Sequence, residues 1–524
     1  MIARPLPLAA SAVALVAAAP LIAVVASLAR PFGDTIAHVA ATTGAAYLFG
    51  TLALMATTGL AATAIGAGAA LAVSLADFPG RRFLSLALAA PLAVPAYIGA
   101  YAYGDFFGPF GALASVSDSA LAIDVKGFWG AVFVLTMTLY PYVYLSARAA
   151  FEVRSGAYLE AARLAGVSPL SAAIRLLAPS AQPAIAGAAL LVMMETAADF
   201  GVADFFGVPT LSVGVFRTWN AFGDLTAAAQ LASVLVLIAI VLVTLETYGR
   251  RGGAHEAARG GRDRRRLRAR GGAALGAFLL CAAPVVFGAF IPVAVIASKL
   301  DGGAPLRGLA GALENSVAAA SAGAVIIIAA AALIAYAARA SKGPLSGAIM
   351  RVATLGYAVP GAVIAIGVFS AGAFMLGGGA GQATGLAALL YAYLARFLTA
   401  GLNVLSGGLE GVSCAVDNAA RVLGAGGARI AFRIHAPLMA PSLAAAAIIL
   451  FVDIAKELPA TLILRAFNFE TLATRVYRLA GDERLAEAAP AALALIGLGA
   501  APVIALSLIG RRPNYSAAST QSQM

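Results

Sequence analysis

Long apolar stretches leave this sequence very few folds. A helix crossing ~30 Å of hydrocarbon needs about 20 apolar residues. Twelve stretches near that length lie close to 8–29, 45–76, 83–104, 128–150, 181–198, 227–247, 272–298, 313–338, 349–375, 383–405, 440–463 and 487–510. Gly, Pro and charged residues separate them. The second is long enough to include a tilted or interfacial part. Hydrophobic residues make up 61% of 524 positions and charged residues 11%, against ~25% charged in an average soluble domain. No soluble core hides that much apolar surface, so lipid is the solvent for most of the chain. The expected fold is all-α and polytopic, with about twelve transmembrane helices.

The scarce reactive side chains exclude several functions. Cys281 lies in an apolar stretch and Cys414 in a polar connector, which fits neither a ligand spacing nor a disulfide framework. His38, His255 and His435 are scattered, against a histidine-built metal centre. The first apolar run, after Arg4, is too long for a cleaved leader and reads as a retained membrane helix. A phosphate loop needs Lys preceded by Gly. The four lysines follow Val125, Ser298, Ser341 and Ala455, so the chain is not expected to hydrolyse ATP itself or to carry a cofactor.

The formal charge of +11 reads as topology. With the N-terminus inside, 25 of the 35 basic residues fall on inside segments, Arg396 counted among them, and nine fall outside. Lys456 lies within a span. Basic residues resist translocation, so both termini are expected on the cytoplasmic side of the membrane, and nucleic acid is not needed as a partner. Nine arginines crowd the segment 249–271, which is rich in Gly and has no apolar face. It reads as a flexible cytoplasmic linker that anchors topology, with contact to anionic membrane lipid as the other reading.

The linker separates two copies of one pattern. EAARLAGVSPLSAAIRLLAPSAQPAIAGAAL starts at Glu160, and NAARVLGAGGARIAFRIHAPLMAPSLAAAAI starts at Asn418, 418 − 160 = 258 positions later. Ala161, Ala162 and Arg163 then meet Ala419, Ala420 and Arg421. Gly166 meets Gly424, Arg175 meets Arg433, Pro179 meets Pro437 and Pro183 meets Pro441. The chain therefore divides into a first six-helix repeat (1–248), the linker, a second repeat (272–512) and a polar tail (513–524). In each loop an Ala-rich helix ends at a glycine. In the first, Ser168 caps a second short helix that carries Pro169 in its first turn. The product is a surface helix–turn–helix of small residues, suited to a partner's groove.

Glu-Ala-Ala, then three residues, then Gly, with Pro about a dozen residues on, resembles the signature loop of ABC importer permeases. The resemblance implies a type I importer permease fold, fused in two copies. It implies that Glu160, Ala161, Ala162, Gly166 and Pro179, with Asn418, Ala419, Ala420, Gly424 and Pro437, seat against two separate ATPase subunits that use the ATP. It also implies a periplasmic solute-binding protein. Asn418 departs from the pattern, since it replaces the loop glutamate with Asp417 just before it, which leaves any contact of Glu160 altered in the second half. DIAKELPATLILR at 453–465 and NFETLATRVY at 468–477 resemble the ferric-iron branch of this family. Fe(III) is then the implied substrate, with thiamine, polyamine and phosphonate carried by related permeases.

Glu195 and Asp199 stand four residues apart, and the 258 offset maps them onto Asp453 and Glu457. On one helical face near the outer ends of two spans, these acids are candidates for an outer vestibule that receives a cation. Pairing of Asp453 with Lys456 is the structural alternative. Pro95 and Pro360 are expected to kink the third and ninth spans. Tyr97, Tyr101, Tyr103, Tyr140, Tyr142 and Tyr144 include several near span ends, where interfacial anchoring is the expectation. A proton-coupled transporter of the major facilitator type is the rival of another class. DFPGRR at 77–82 partly matches the second-to-third connector of that family, with Phe78 in place of its Arg.

Overall fold

The computed structural model describes residues 5–108, 125–164, 166–168, 171, 175, 177–251, 267–302, 307–340, 343–356, 359–375 and 385–509. Most of the linker (252–266) and the whole tail lie outside these residues.

The described chain is almost entirely helical. α1 (Pro5–Ala26) and α2 (Asp34–Leu75) open the first half. A turn at Gly80, held at φ +76°, leads into α3 (Arg81–Ala87). Val94 then goes extended (φ −92°, ψ 113°), as the residue before a proline prefers. Beyond Pro95, α4 (Ala96–Phe107) leaves at 93° to the arm before it. α5 (Phe128–Leu164), α6 (Gln182–Ala198), α7 (Gly201–Phe205), α8 (Leu211–Phe222) and α9 (Leu225–Arg251) complete this half.

The second half follows the same plan. Its elements are α10 (Gly272–Ser298), α11 (Leu309–Ala340), α12 (Pro344–Ala353), α13 (Gly361–Met375) and α14 (Leu386–Glu410). Then come α15 (Cys414–Val422), α16 (Ala440–Ala455), α17 (Pro459–Leu464), α18 (Leu472–Gly481) and α19 (Leu485–Ile509). Helix boundaries recur at the sequence offset: α5 starts at Phe128 and ends at Leu164, while α14 starts at Leu386 and α15 ends at Val422. α6 and α7 start at Gln182 and Gly201, and α16 and α17 at Ala440 and Pro459. One difference stands out. α5 runs unbroken, whereas Ser413 interrupts its counterpart and caps α15, its Oγ accepting from the Ala415 N–H at 3.2 Å.

The apolar stretches are not all single long helices. Among the described residues seven helices are long and apolar enough to cross a membrane, or nine if each bent pair counts as one span. The third apolar stretch is a bent pair, at 93°, and the first helix of the eleventh, Ala440–Ala455, is bent by 76° from the arm Gly427–Leu438 before it. The fifth and ninth are short helices. Proline explains most of this, because Pro95, Pro360 and Pro459 each stand where one segment stops and the next begins.

The first helix of each half packs on the other half. α1 lies against α11, α12 and α13, and α10 lies against α2 and α4. Tyr391 on α14 donates to Val16 O at 2.7 Å, and Tyr103 on α4 donates to Phe287 O on α10. α1 approaches α13 so closely that a Cβ on Gly367 would strike Pro20 O. Without a hydrophobic driving force between helices in lipid, such small-residue contacts carry much of the association. One core cluster accordingly draws residues from both halves, including Val24, Tyr97, Val236, Ile364, Tyr393 and Leu472. The one strand pairing among the described residues is a two-residue parallel contact that ties Leu267–Arg268, at the linker's end, to Ala76–Asp77.

Five of the six tyrosines are not interfacial anchors. Tyr97, Tyr101, Tyr103, Tyr140 and Tyr144 are all buried. Tyr144 donates to Ser85 O at 2.8 Å, which joins α5 to α3. Near a span end, a tyrosine can face a neighbouring helix as readily as the headgroups.

Candidate functional site

Two places in the fold gather the candidate residues: the repeated loops, and a cavity at the far ends of the helices that follow them.

In the first loop, α5 carries Glu160, Ala161 and Ala162 in its last turns, although their side chains lie outside the described residues. Gly166 then takes φ +66°, a left-handed conformation that costs other L-residues roughly 1–2 kcal/mol. Ser168 Oγ accepts from the Ser171 N–H at 3.3 Å, as its capping role requires. In the second loop, Gly424 takes φ +77°. Its N–H donates to Arg421 O at 3.0 Å, and the Ala425 N–H reaches back to Ala420 O at 2.9 Å. That bond pair is the Schellman closure of α15.

Just before each glycine an apolar side chain stands in the open. Leu164 is 91% exposed and Val422, its repeat equivalent, 87%. Asn418, Ala419, Gly166, Gly424, Pro179 and Pro437 are exposed, while Ala420 packs inward. A large apolar residue exposed at matched places on two loops marks a contact surface better than a scattered surface leucine would.

The polar neighbour of Asn418 has a definite role. Asp417 is buried, and its Oδ2 accepts from Arg339 Nε at 2.9 Å while its Oδ1 meets His435 Nε2 at 2.6 Å. Burial alone would raise its carboxyl pKa, but the Arg339 and His435 bonds outweigh that and hold it below the ordinary aspartate value.

α6 is 17 residues long, about 25 Å, and α16 has a similar span. Their far ends meet at a cavity of ≈ 350 Å³. All four candidate acids, Glu195, Asp199, Asp453 and Glu457, line it, together with Arg396, Lys456, Thr138 and the Leu92–Tyr97 break. The four acids share this cavity, but their local geometry differs from the expectation of one helical face. α6 ends at Ala198, so Asp199 does not share a helical face with Glu195. Asp199 Oδ1 accepts from the Val202 and Ala203 N–H groups at 2.9 and 3.3 Å and caps α7. Glu457, only 5% exposed, likewise accepts from the Ala460 N–H at 3.0 Å and caps α17.

Glu457 has a second partner that no sequence pattern announces. Arg396 on α14 donates to Glu457 Oε1 at 2.8 Å. The guanidinium sits inside a span facing the cavity, not on an inside connector, so it drops out of the topology count. Its repeat equivalent, Thr138, also lines the cavity. Lys456 does not pair with Asp453; its Nζ donates across to Leu92 O of the first half at 2.8 Å. Glu195 and Asp453 make no hydrogen bond or ion pair among the described residues. These two, one from each half, are the acids left open to the cavity, and Asp453 is exposed to it. No group of three or more His, Cys, Asp or Glu among the described residues is placed to hold a metal ion. The carboxylates are therefore spread round the cavity instead of converging on one chelating point.

No protein-family model matches the chain. The sequence is similar to the Fe(3+)-transport system permease protein FbpB 2 of Haemophilus influenzae, 24% identical over 469 residues, 88% of this chain and 89% of that one. It is also similar to the probable ABC transporter permease protein y4fN of Sinorhizobium fredii, 27% identical over 230 residues, 43% of this chain and 40% of that one. The resemblance to importer permeases of the ferric-iron kind thus extends over most of the length.

Proposed function

We propose that this chain is the fused, two-repeat permease subunit of an ATP-driven importer that moves ferric iron across a bacterial inner membrane. Leu164 and Val422, one on each repeated loop and each two residues before a left-handed glycine, are the observation that carries this reading. They fit two cytoplasmic knobs that dock on two ATPase subunits. Each loop leads into a rod, α6 or α16, whose far end bears cavity acids. A push on a loop is therefore delivered to the passage about 25 Å away by the rise of one rigid helix. A binding protein on the outer side would hand over the cargo.

Ferric iron suits the lining. A hard, highly charged cation favours oxygen donors, and the open acids are Glu195 and Asp453. Ionisable groups at membrane depth are costly and mark substrate paths more often than packing. Spaced acids would pass a cation along without trapping it, as conduction requires.

Reconstitution with the cognate ATPase and binding protein tests the proposal. Iron uptake into vesicles should need ATP and survive a proton uncoupler. Uptake that runs on the proton gradient alone would favour the facilitator-type rival.

A further inference from the structure

The two loops match in sequence but differ in how they are held. In the second half, Asp417 on α15 is bound at once to Arg339, at the end of α11, and to His435, in the turn that leads to α16. Arg339 also donates to Val412 O at 2.8 Å and to Leu409 O, the carbonyls that close α14. His435 Nδ1 meets the hydroxyl of Tyr336, one turn earlier on α11, at 2.9 Å, and the two rings stack. Four elements, α11, α14, α15 and the segment that leads into α16, are thus joined around one carboxylate.

Among the described residues the first half is joined differently: Arg148 on α5 donates to Ser85 O at 2.8 Å and to the Tyr144 hydroxyl at 3.2 Å, and it pairs with Glu152 at 3.0 Å. At the 258 offset, Asp417 corresponds to Leu159, His435 to Leu177 and Tyr336 to Phe78. Leu177 and Phe78 are buried in one apolar cluster. Arg339 corresponds to Arg81, which turns to its own loop: it donates to Val73 O at 3.0 Å and lies 3.6 Å from Asp77. Buried polar networks are brittle and directional, because removing one member strands the others. Apolar contacts slide more easily.

We infer that Asp417 is a positioning residue, the strut through which the second loop moves α11 and the segment leading into α16 together, while the first loop, with Leu159 and Leu177 at the matching positions, lacks this carboxylate. This rests on the importer reading above. The halves would then respond unequally to one ATPase stroke, with the second held to a fixed angle. Asn418 lacks the charge of Glu160, and the neighbouring acid serves the strut inside the chain.

The test uses the full chain with its ATPase subunits in vesicles, reading bound ATPase, ATP hydrolysis and iron uptake together. Asp417→Asn keeps the shape and removes the charge. It should retain the ATPase and hydrolyse ATP, while uptake per ATP falls by roughly tenfold, within the range of ordinary site-to-site coupling. Arg339→Gln should do the same, and the double variant should be no worse than either single one. Unchanged uptake per ATP in Asp417→Asn, or losses that multiply in the double variant, overturns the strut. Should Asp417→Asn fail to assemble, Arg339→Lys, which keeps the charge, is read against the same criteria. An unaltered chain that binds no ATPase sinks the importer reading instead, whatever the variants do.

Discussion

Asp199 and Glu457, 258 positions apart, are equivalent caps: each carboxylate accepts the N–H three residues on and closes the short helix beyond it. Glu195 and Asp453, their companions at the same offset, close nothing and stay open to the cavity. The four acids therefore separate into two kinds. Asp199→Ala should cost stability, about 1 kcal/mol as for other caps, seen as a lower thermal midpoint in detergent. Glu195→Gln with Asp453→Asn should leave that midpoint within error and depress iron uptake several-fold. If the pair of amides transports normally, the open acids are not part of the path.

The glycines that end the loop helices offer a second test. A valine at Gly166 or Gly424 must adopt a φ near +70° or unwind the turn, at roughly 1–2 kcal/mol per site. Neither glycine has an atom within 4 Å of where a Cβ would sit, so the effect is backbone strain and not a clash. Gly166→Val with Gly424→Val should weaken co-purification of the ATPase, and Leu164→Asp with Val422→Asp should do so without strain. ATPase retained at wild-type level in both double variants would remove the loops from the coupling role.

Much of this was legible in the sequence because it depended on residue type and spacing alone. The repeat, the left-handed glycines and the Ser168 cap all follow from punctuation. What stayed hidden depended on where helices stop. Spacing of four places Glu195 and Asp199 on one face only if the helix continues, and it ends at Ala198. The apolar stretch 383–405 already contains Arg396, so counting it on an inside segment conflicts with its own span, and its helix runs from Leu386 to Glu410. Its partner Glu457 lies 61 positions away, beyond the reach of any local pattern. The tyrosines failed for a similar reason, since burial is decided by which helix arrives opposite.

Asp417 gives a pH prediction with a definite sign. Its carboxyl pKa is lowered in the folded chain, so the strut's contribution is fully present above the unfolded value of about 3.9. It is lost as pH falls through the still lower folded value. Cys414 is exposed at the start of α15, while Cys281 is buried, so a fluorophore can be placed on the loop selectively. Its emission should stay level from neutral pH down to about 4 and change only below. A midpoint above about 5 would assign the transition to another group.

Gly361 supports the second half of the cavity by lacking a side chain. A Cβ there would meet both the Arg396 guanidinium and the Glu457 carboxylate, the ion pair that neutralises one cavity acid and orients the cap of α17. At the matching break of the first half, Pro95 stands 265 positions before Pro360, seven more than the repeat offset, and is followed by Ala96; there the cavity carries Thr138, the 258-offset equivalent of Arg396. The first half thus has room for a methyl group where the second has none. Gly361→Ala should push the pair apart and cost about 1–3 kcal/mol, the usual range for overpacking, with a further loss of uptake from a freed guanidinium facing a cationic cargo. Arg396→Thr, which copies the first half, should relieve the clash, so Gly361→Ala with Arg396→Thr should be more stable than Gly361→Ala alone. If the double variant is no better, the crowding lies elsewhere and Arg396 is not what requires glycine at this position.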